Sequence, residues 1–185
     1  NIQIIGGDFL VAQNKRLQSF NALSKLKKIN RYFTIENNPA INSFSGLNSL
    51  DTVGGIFTTL GNSGLQNFNG LENLQSCASV IIYDNDKLQN LNVLPAIQNL
   101  DRLEIINNDS LQIINGLNAL SLIRTHLTIT NNNHLVDIQG IENAILCSAC
   151  GNFVLTIANN PVLSMCSVKS ICDYLGTDVS LIYDN

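Results

Sequence analysis

The chain has few of the residues on which catalysis, metal binding and nucleic-acid binding depend. It contains two histidines in 185 residues, and 13% of its residues are charged. Neither His126 nor His134 has a cysteine or serine at a spacing that predicts a nucleophile with its base. The net charge of −4, without interleaved aromatic and basic residues, is not typical of nucleic-acid binding. The sequence therefore predicts a protein that is not an enzyme, with no metal ion, no cofactor and no nucleic-acid partner.

Long apolar runs and linker-like segments are also missing. The apolar runs are only a few residues long, whereas a membrane-spanning helix needs about 20 residues. No stretch rich in proline or glycine divides the chain, which has three prolines in all. We therefore expect no transmembrane segment and a single repeat domain over residues 1–185.

One asparagine recurs along the whole chain. Its period is 23 to 24 residues, lengthening to 28 and 25 near the end, which is typical of a repeat protein. The repeated residues are Asn14, Asn38, Asn62, Asn85, Asn108, Asn132, Asn160 and Asn185. An inward asparagine amide offers both a donor and an acceptor, so stacked copies can satisfy backbone groups that leave a strand. We expect these asparagines to form a structural ladder.

Each repeat shows two apolar periodicities around its asparagine. Before it, apolar residues alternate with variable ones, as at Leu103 and Ile105, which predicts one short strand per repeat. After it, apolar residues follow every three positions, which favours tight turns or 3₁₀ coils over long helices. The glycine eight residues on, as in Gly46 and Gly116, predicts a positive φ or a close approach between coils. The resulting fold class is mainly β, a solenoid with few short helical turns.

These motifs resemble a known family. The pattern L-x-L-x-x-N-x-x-L, carried by residues 103–111 and their equivalents, is similar to leucine-rich repeats in the variant found in receptor L domains. Residues 159–175 resemble the closing repeat of secreted Bacteroidetes proteins that carry type IX sorting signals. The resemblance implies a right-handed β-solenoid of 23–28-residue coils. About seven full coils, with partial coils at both ends, indicate a fragment of a longer chain.

Four of the five cysteines cluster near the C-terminal end, where a solenoid needs a cap over its core. We expect one or two disulfides among Cys147, Cys150, Cys166 and Cys172, and hence an oxidising, extracellular setting. A zinc site built on the same four residues is the alternative, although the last pair is spaced too widely for a second Cys-x-x-Cys. Cys77 occupies a position that other repeats fill with Ile or Val, so it is expected to be a buried apolar substitute.

The most plausible binding surface consists of the outward side chains of the strands. In the middle of the chain, apolar and aromatic residues would form a contiguous patch with a carboxylate at its border. These candidate binding residues are Leu60, Ile81, Tyr83, Glu104 and Ile106. The alternative is that β-forming residues occupy these positions for their strand propensity, or that another part of a longer protein covers them.

Two other features suggest weaker hypotheses. Residues 1–31 hold six basic residues against Asp8, whereas the rest of the chain is acidic, which could orient the domain beside an acidic partner. The turns 84–86 and 107–109 could supply calcium ligands, but Asx-rich turns need no metal.

The sequence predicts a non-enzymatic extracellular or cell-surface repeat module, from a bacterium, that binds a protein or glycan. The alternative is a structural spacer in a larger secreted protein.

Overall fold

The structure is a computed structural model, and it describes residues 2–92, 94, 96–164, 168–176 and, for the backbone only, 181–183. Short strands that recur at the spacing of the asparagines dominate these residues. The strands are β1 (Ile4–Ile5), β2 (Phe9–Ala12), β3 (Lys28–Ile29), β4 (Phe33–Glu36), β5 (Thr52–Val53), β6 (Ile56–Leu60), β7 (Ser79–Tyr83), β8 (Asn99–Ile106), β9 (Leu122–Thr130), β10 (Ile145–Leu146), β11 (Val154–Ala158) and β12 (Leu181–Tyr183). The helical elements are three 3₁₀ turns, Asn21–Leu23, Gln139–Ile141 and Ser148–Cys150, and helix α1 (Lys169–Leu175).

The strands form a parallel solenoid, which confirms the predicted fold class. The main sheet has the order β12-β11-β9-β8-β7-β6-β4-β2, so each strand pairs with those of the preceding and following coils. Equivalent residues lie opposite each other, as in Phe33↔Phe57 and Val80↔Leu103. The pairing register therefore coincides with the sequence repeat.

A second, smaller sheet of β1, β3 and β5 runs beside the main one. The pair Gly54-Gly55 separates β5 from β6, and a glycine pair likewise separates β1 from β2. No glycine interrupts the corresponding part of β8 or β9, and these strands continue to lengths of eight and nine residues. Strands β8 and β9 are thus longer than the alternation predicted.

The three-residue apolar spacing corresponds to consecutive tight turns. In the second coil, backbone N–H groups bond to the carbonyl three residues earlier, from Ile41 to Asn38, from Leu47 to Phe44 and from Leu50 to Leu47. Each such turn brings the next apolar residue back to the interior, as expected of 3₁₀ geometry. All three of these side chains are 0% exposed. The spacing therefore encodes the inward side of each coil.

The interior contains a file of phenylalanines in the first coils. The rings of Phe33 and Phe57 stack at a centroid separation of 5.2 Å, and Phe44 meets Phe68 edge to face at 5.2 Å. Both geometries are favourable for aromatic pairs.

Among the described residues, no helix is long and apolar enough to cross a membrane.

The glycine eight residues after the asparagine meets both expectations. Gly46 has φ of 102°, a region that residues with a side chain rarely adopt. At Gly116, an added Cβ would lie 1.4 Å from the carbonyl oxygen of Leu91 in the preceding coil. The position therefore requires glycine for backbone conformation in one coil and for coil-to-coil contact in another.

Candidate functional site

The recurring asparagines form a continuous buried ladder behind the carboxyl ends of the strands. Asn38, Asn62, Asn85, Asn108, Asn132 and Asn160 are 0% exposed. Each described copy up to Asn132 donates its backbone N–H to the Oδ1 of the next, for example Asn38 to Asn62 at 2.9 Å. Its Nδ2 donates to backbone carbonyls of its own strand and the preceding one, as from Asn38 to Glu36 and Val11. The ladder is structural, and Asn185 lies outside the described residues.

The first rung differs from the others in its environment. Asn14 is exposed, and it donates its N–H and its Nδ2–H to Asn38 Oδ1, both at 3.0 Å. The sequon Asn108-Asp-Ser110 places its acceptor within the ladder. Since Asn108 is 0% exposed, its amide is inaccessible to a modifying enzyme in the folded protein.

Thr59 belongs to the ladder although the alternation did not indicate it. The equivalent residues on neighbouring strands are Ile35 and Ile82, whereas Thr59 is buried with its hydroxyl among the amides. Its Oγ1 accepts from Asn62 Nδ2 at 3.0 Å and donates to Asn85 Oδ1 at 3.2 Å. The only sequence signal for this role was that Thr59 is polar, whereas the equivalent residues of the neighbouring strands are apolar.

The candidate binding residues lie together on the solvent face of the main sheet. Leu60, Tyr83 and Ile106 are direct neighbours on β6, β7 and β8, and Ile81 precedes Tyr83 on the same face. All four are half-buried. Because strands in a sheet lie about 4.8 Å apart, these side chains form a flat apolar patch, which we call the sheet-face patch.

A charged pair borders the sheet-face patch. Glu104 neighbours Ile81 on the adjacent strand, and its Oε1 lies 3.4 Å from Arg102 Nη1. His126 and Thr128 continue these two rows on β9. The charges of Arg102 and Glu104 therefore nearly cancel at this border. A ligand there would contact apolar surface beside a Glu104 carboxylate that is already paired with Arg102.

The acidic turns that suggested calcium ligands are bridged by amides instead. Asn107 Nδ2 donates to Asp84 Oδ1 at 3.0 Å, and Asn133 Nδ2 donates to Asp109 Oδ1 at 2.8 Å. Over the described part of the chain, no group of three or more His, Cys, Asp or Glu side chains could hold a metal ion. These carboxylates connect adjacent coils by hydrogen bonds.

The cysteines divide into three environments. Cys147 and Cys150 form a disulfide beside β10, so neither sulfur is available as a thiolate ligand for the zinc site considered above. Cys172 is a free, exposed thiol on α1, and Cys166 lies outside the described residues. Cys77 is buried and free, and desolvation raises the pKa of its thiol to about 12. Its thiol stays protonated near neutral pH and packs as an apolar group.

Comparison with protein-family models, with curated proteins and with solved structures found no match to this chain.

Proposed function

We propose that the protein is a non-enzymatic recognition module whose sheet-face patch contacts a protein or glycan outside the cell or at its surface. The observation that carries this proposal is the contiguity of Leu60, Ile81, Tyr83 and Ile106 on one flat face. A clustered apolar surface on a folded domain often marks a contact site. Tyrosine offers a large contact area and a polar hydroxyl at low entropic cost.

The family and the setting are part of the same proposal. The repeat motif supports membership in the leucine-rich repeats of the receptor L-domain type, and residues 159–175 support a secreted bacterial origin. The Cys147–Cys150 disulfide is consistent with an oxidising compartment. In this setting, the solenoid would present a rigid flat surface to a partner.

The test is a binding screen with the isolated domain. Surface proteins and glycans from the native environment would be passed over the immobilised domain and over the triple variant Ile81→Lys, Tyr83→Lys, Ile106→Lys. We expect the triple variant to lose binding, because three ammonium groups replace the apolar contact area.

A matched control separates this effect from added charge. Val154→Lys, Thr156→Lys and Ala158→Lys add the same charge to the same face on β11, which β9 separates from the sheet-face patch. This control should retain binding, and circular dichroism should show both variants folded. If the two triple variants bind equally well, the sheet-face patch is not the recognition site and the structural-spacer alternative becomes the better account.

A further inference from the structure

A groove at the edge of the sheet, separate from the sheet-face patch, interrupts the regular surface of the first coils. It has a volume of about 390 Å³ and is lined by Gln13, Lys15, Asn37, Pro39 and Gly61. These residues flank the ladder on its outer side, at the turn where the strands end. None of them belongs to the sheet-face patch.

The groove exists because one coil lacks a side chain at a repeated position. The residue directly before each described ladder asparagine has a positive φ, including 65° at Gly61. The residues in this column are Gln13, Asn37, Gly61, Asp84, Asn107, Asn131 and Asn159. Gly61 is the only glycine among them. A Cβ at Gly61 would lie 2.3 Å from Asn37 Oδ1, so this carbonyl oxygen faces the space that the missing side chain leaves.

The neighbouring coils show what closes the same space elsewhere. Asn107 donates to Asp84 in the preceding coil, and Asn133 in the next column donates to Asp109. These bridges occupy the side chains that would otherwise face solvent. In the groove, the Asn37 side chain forms one hydrogen bond within the described part of the chain, from its Nδ2 to Glu36 Oε1 at 3.1 Å, and its Oδ1 is left as an acceptor.

The charges favour an anion in the groove. Lys15 is the only charged residue in the lining, and it is exposed and forms no ion pair with any described residue. Arg16 follows it in the same basic segment. Glu36 lies beside the groove and accepts the Asn37 hydrogen bond, and its negative charge offsets part of the field of Lys15 and Arg16. Asp84, one coil beyond Gly61 in the same column, carries a negative charge, so an anionic ligand is directed toward the first coils.

We propose that this groove binds a carboxylated sugar, such as one hexuronate unit of an acidic oligosaccharide. The sugar carboxylate accepts hydrogen bonds from the Lys15 ammonium, and its hydroxyls donate to Asn37 Oδ1 and bond to the Gln13 amide. A lining with both donors and acceptors matches a ligand that carries both, whereas an apolar protein anchor would leave these groups unpaired.

The proposal is tested by titrating the ¹⁵N-labelled domain with trigalacturonate and following amide chemical shifts. The fully methyl-esterified trisaccharide keeps the sugar and removes the charge, and acetate supplies the charge without the sugar. We expect saturable shifts around Gln13, Asn37 and Gly61 with trigalacturonate alone. Equal shifts with the ester or with acetate would overturn the assignment to a sugar carboxylate.

Three variants locate the site. Gly61→Asn fills the groove with the residue used at the same position in other coils, where asparagine tolerates positive φ, and should abolish the saturable shifts. Lys15→Gln should weaken binding by roughly threefold to fivefold, the upper part of the range for an exposed ion pair. Arg16→Gln removes the same charge from the adjacent exposed residue outside the lining and should change binding by less than about twofold.

Outcomes with these variants decide for or against the groove. If Gly61→Asn and Lys15→Gln both bind as well as the unchanged protein, trigalacturonate binds elsewhere. If Lys15→Gln and Arg16→Gln weaken binding equally, it binds only through the general basic charge. Lys15 is exposed, so its substitution remains informative even if Gly61→Asn fails to fold. The triple lysine variant of the sheet-face patch should keep its groove shifts, which distinguishes failure of this site from failure of the proposed function.

Discussion

At the scale of single residues, the ladder asparagine combines three tasks in one side chain. Asn85 donates to the carbonyls of Thr59 and Tyr83 at 3.1 and 2.9 Å. Its Oδ1 accepts from the backbone N–H of Asn62 at 3.2 Å. These partners are backbone groups at the point where the chain leaves the sheet and the regular strand-to-strand bonds end. Aspartate could not donate, and leucine could neither donate nor accept.

Substitution of Asn85 should therefore be strongly destabilising. Asn85→Ala leaves several buried backbone groups unpaired, and we expect a loss of roughly 3–5 kcal/mol in the free energy of unfolding, measured by urea denaturation. Asp86→Ala, at the next and exposed position, serves as the control and should change stability by less than about 0.5 kcal/mol. A loss below about 1 kcal/mol for Asn85→Ala would contradict a structural role for the ladder.

At the scale of the coil, two sequence features determine its shape. Apolar residues recur every three positions, and a small residue occupies the point where adjacent coils approach most closely. Each i to i−3 turn returns an apolar side chain to the interior. The coils then stack closely enough that Gly116 meets the backbone of Leu91. Glycine pairs lie between β1 and β2 and between β5 and β6, and residues 30–32, which include no glycine, separate β3 from β4. In β8 and β9 the strand is continuous.

Gly116 gives a direct test of this coil spacing. Gly116→Ala places a methyl group against the Leu91 carbonyl, which is backbone and cannot rotate away, so we expect a loss of at least about 2 kcal/mol in thermal and urea unfolding. Gly7→Ala is the matched control, because an added Cβ there meets nothing within 4 Å, and it should be nearly neutral. Similar melting temperatures for both variants would show that adjacent coils can move apart without strain.

At the scale of the whole molecule, each coil contacts only its neighbours. Strand β7 is paired on both sides, whereas β2 is the end of the main sheet among the described strands and pairs only with β4. Solenoid stability is a sum of coil and interface contributions. Opening from an end therefore breaks one interface, whereas exposing a central strand breaks two.

Hydrogen exchange should show this asymmetry. After correction for intrinsic rates, we expect the bonded amides of β7 to exchange about 100-fold or more slowly than those of β2, equivalent to roughly 3 kcal/mol of opening free energy. Mass spectrometry of peptic peptides, or NMR, would measure the gradient. Uniform protection along the chain would show that the solenoid opens as a single cooperative unit.

Much of the architecture could be predicted from the repeat because every coil buries the same apolar positions and pairs the same backbone groups. The position of Leu103 five residues before Asn108 specified both a strand and its inward side, and the structure places it in the core. The hydrogen bonds of Thr59 could not be read in this way, because one hydroxyl in an apolar column has partners 3 and 26 residues away. The groove at Gly61 was missed because it lies between coils.

The repeat in the sequence by itself determined the solenoid, its ladder and the residues that face outward, since a fixed period forces equivalent residues into one row. Only the tertiary structure decided which outward residues share a surface of useful shape. Register aligns Leu60, Tyr83 and Ile106 across three strands. The lining of the groove, from Gln13 to Gly61, likewise comes from three successive coils. These surfaces depend on the spacing between coils, which local sequence does not contain.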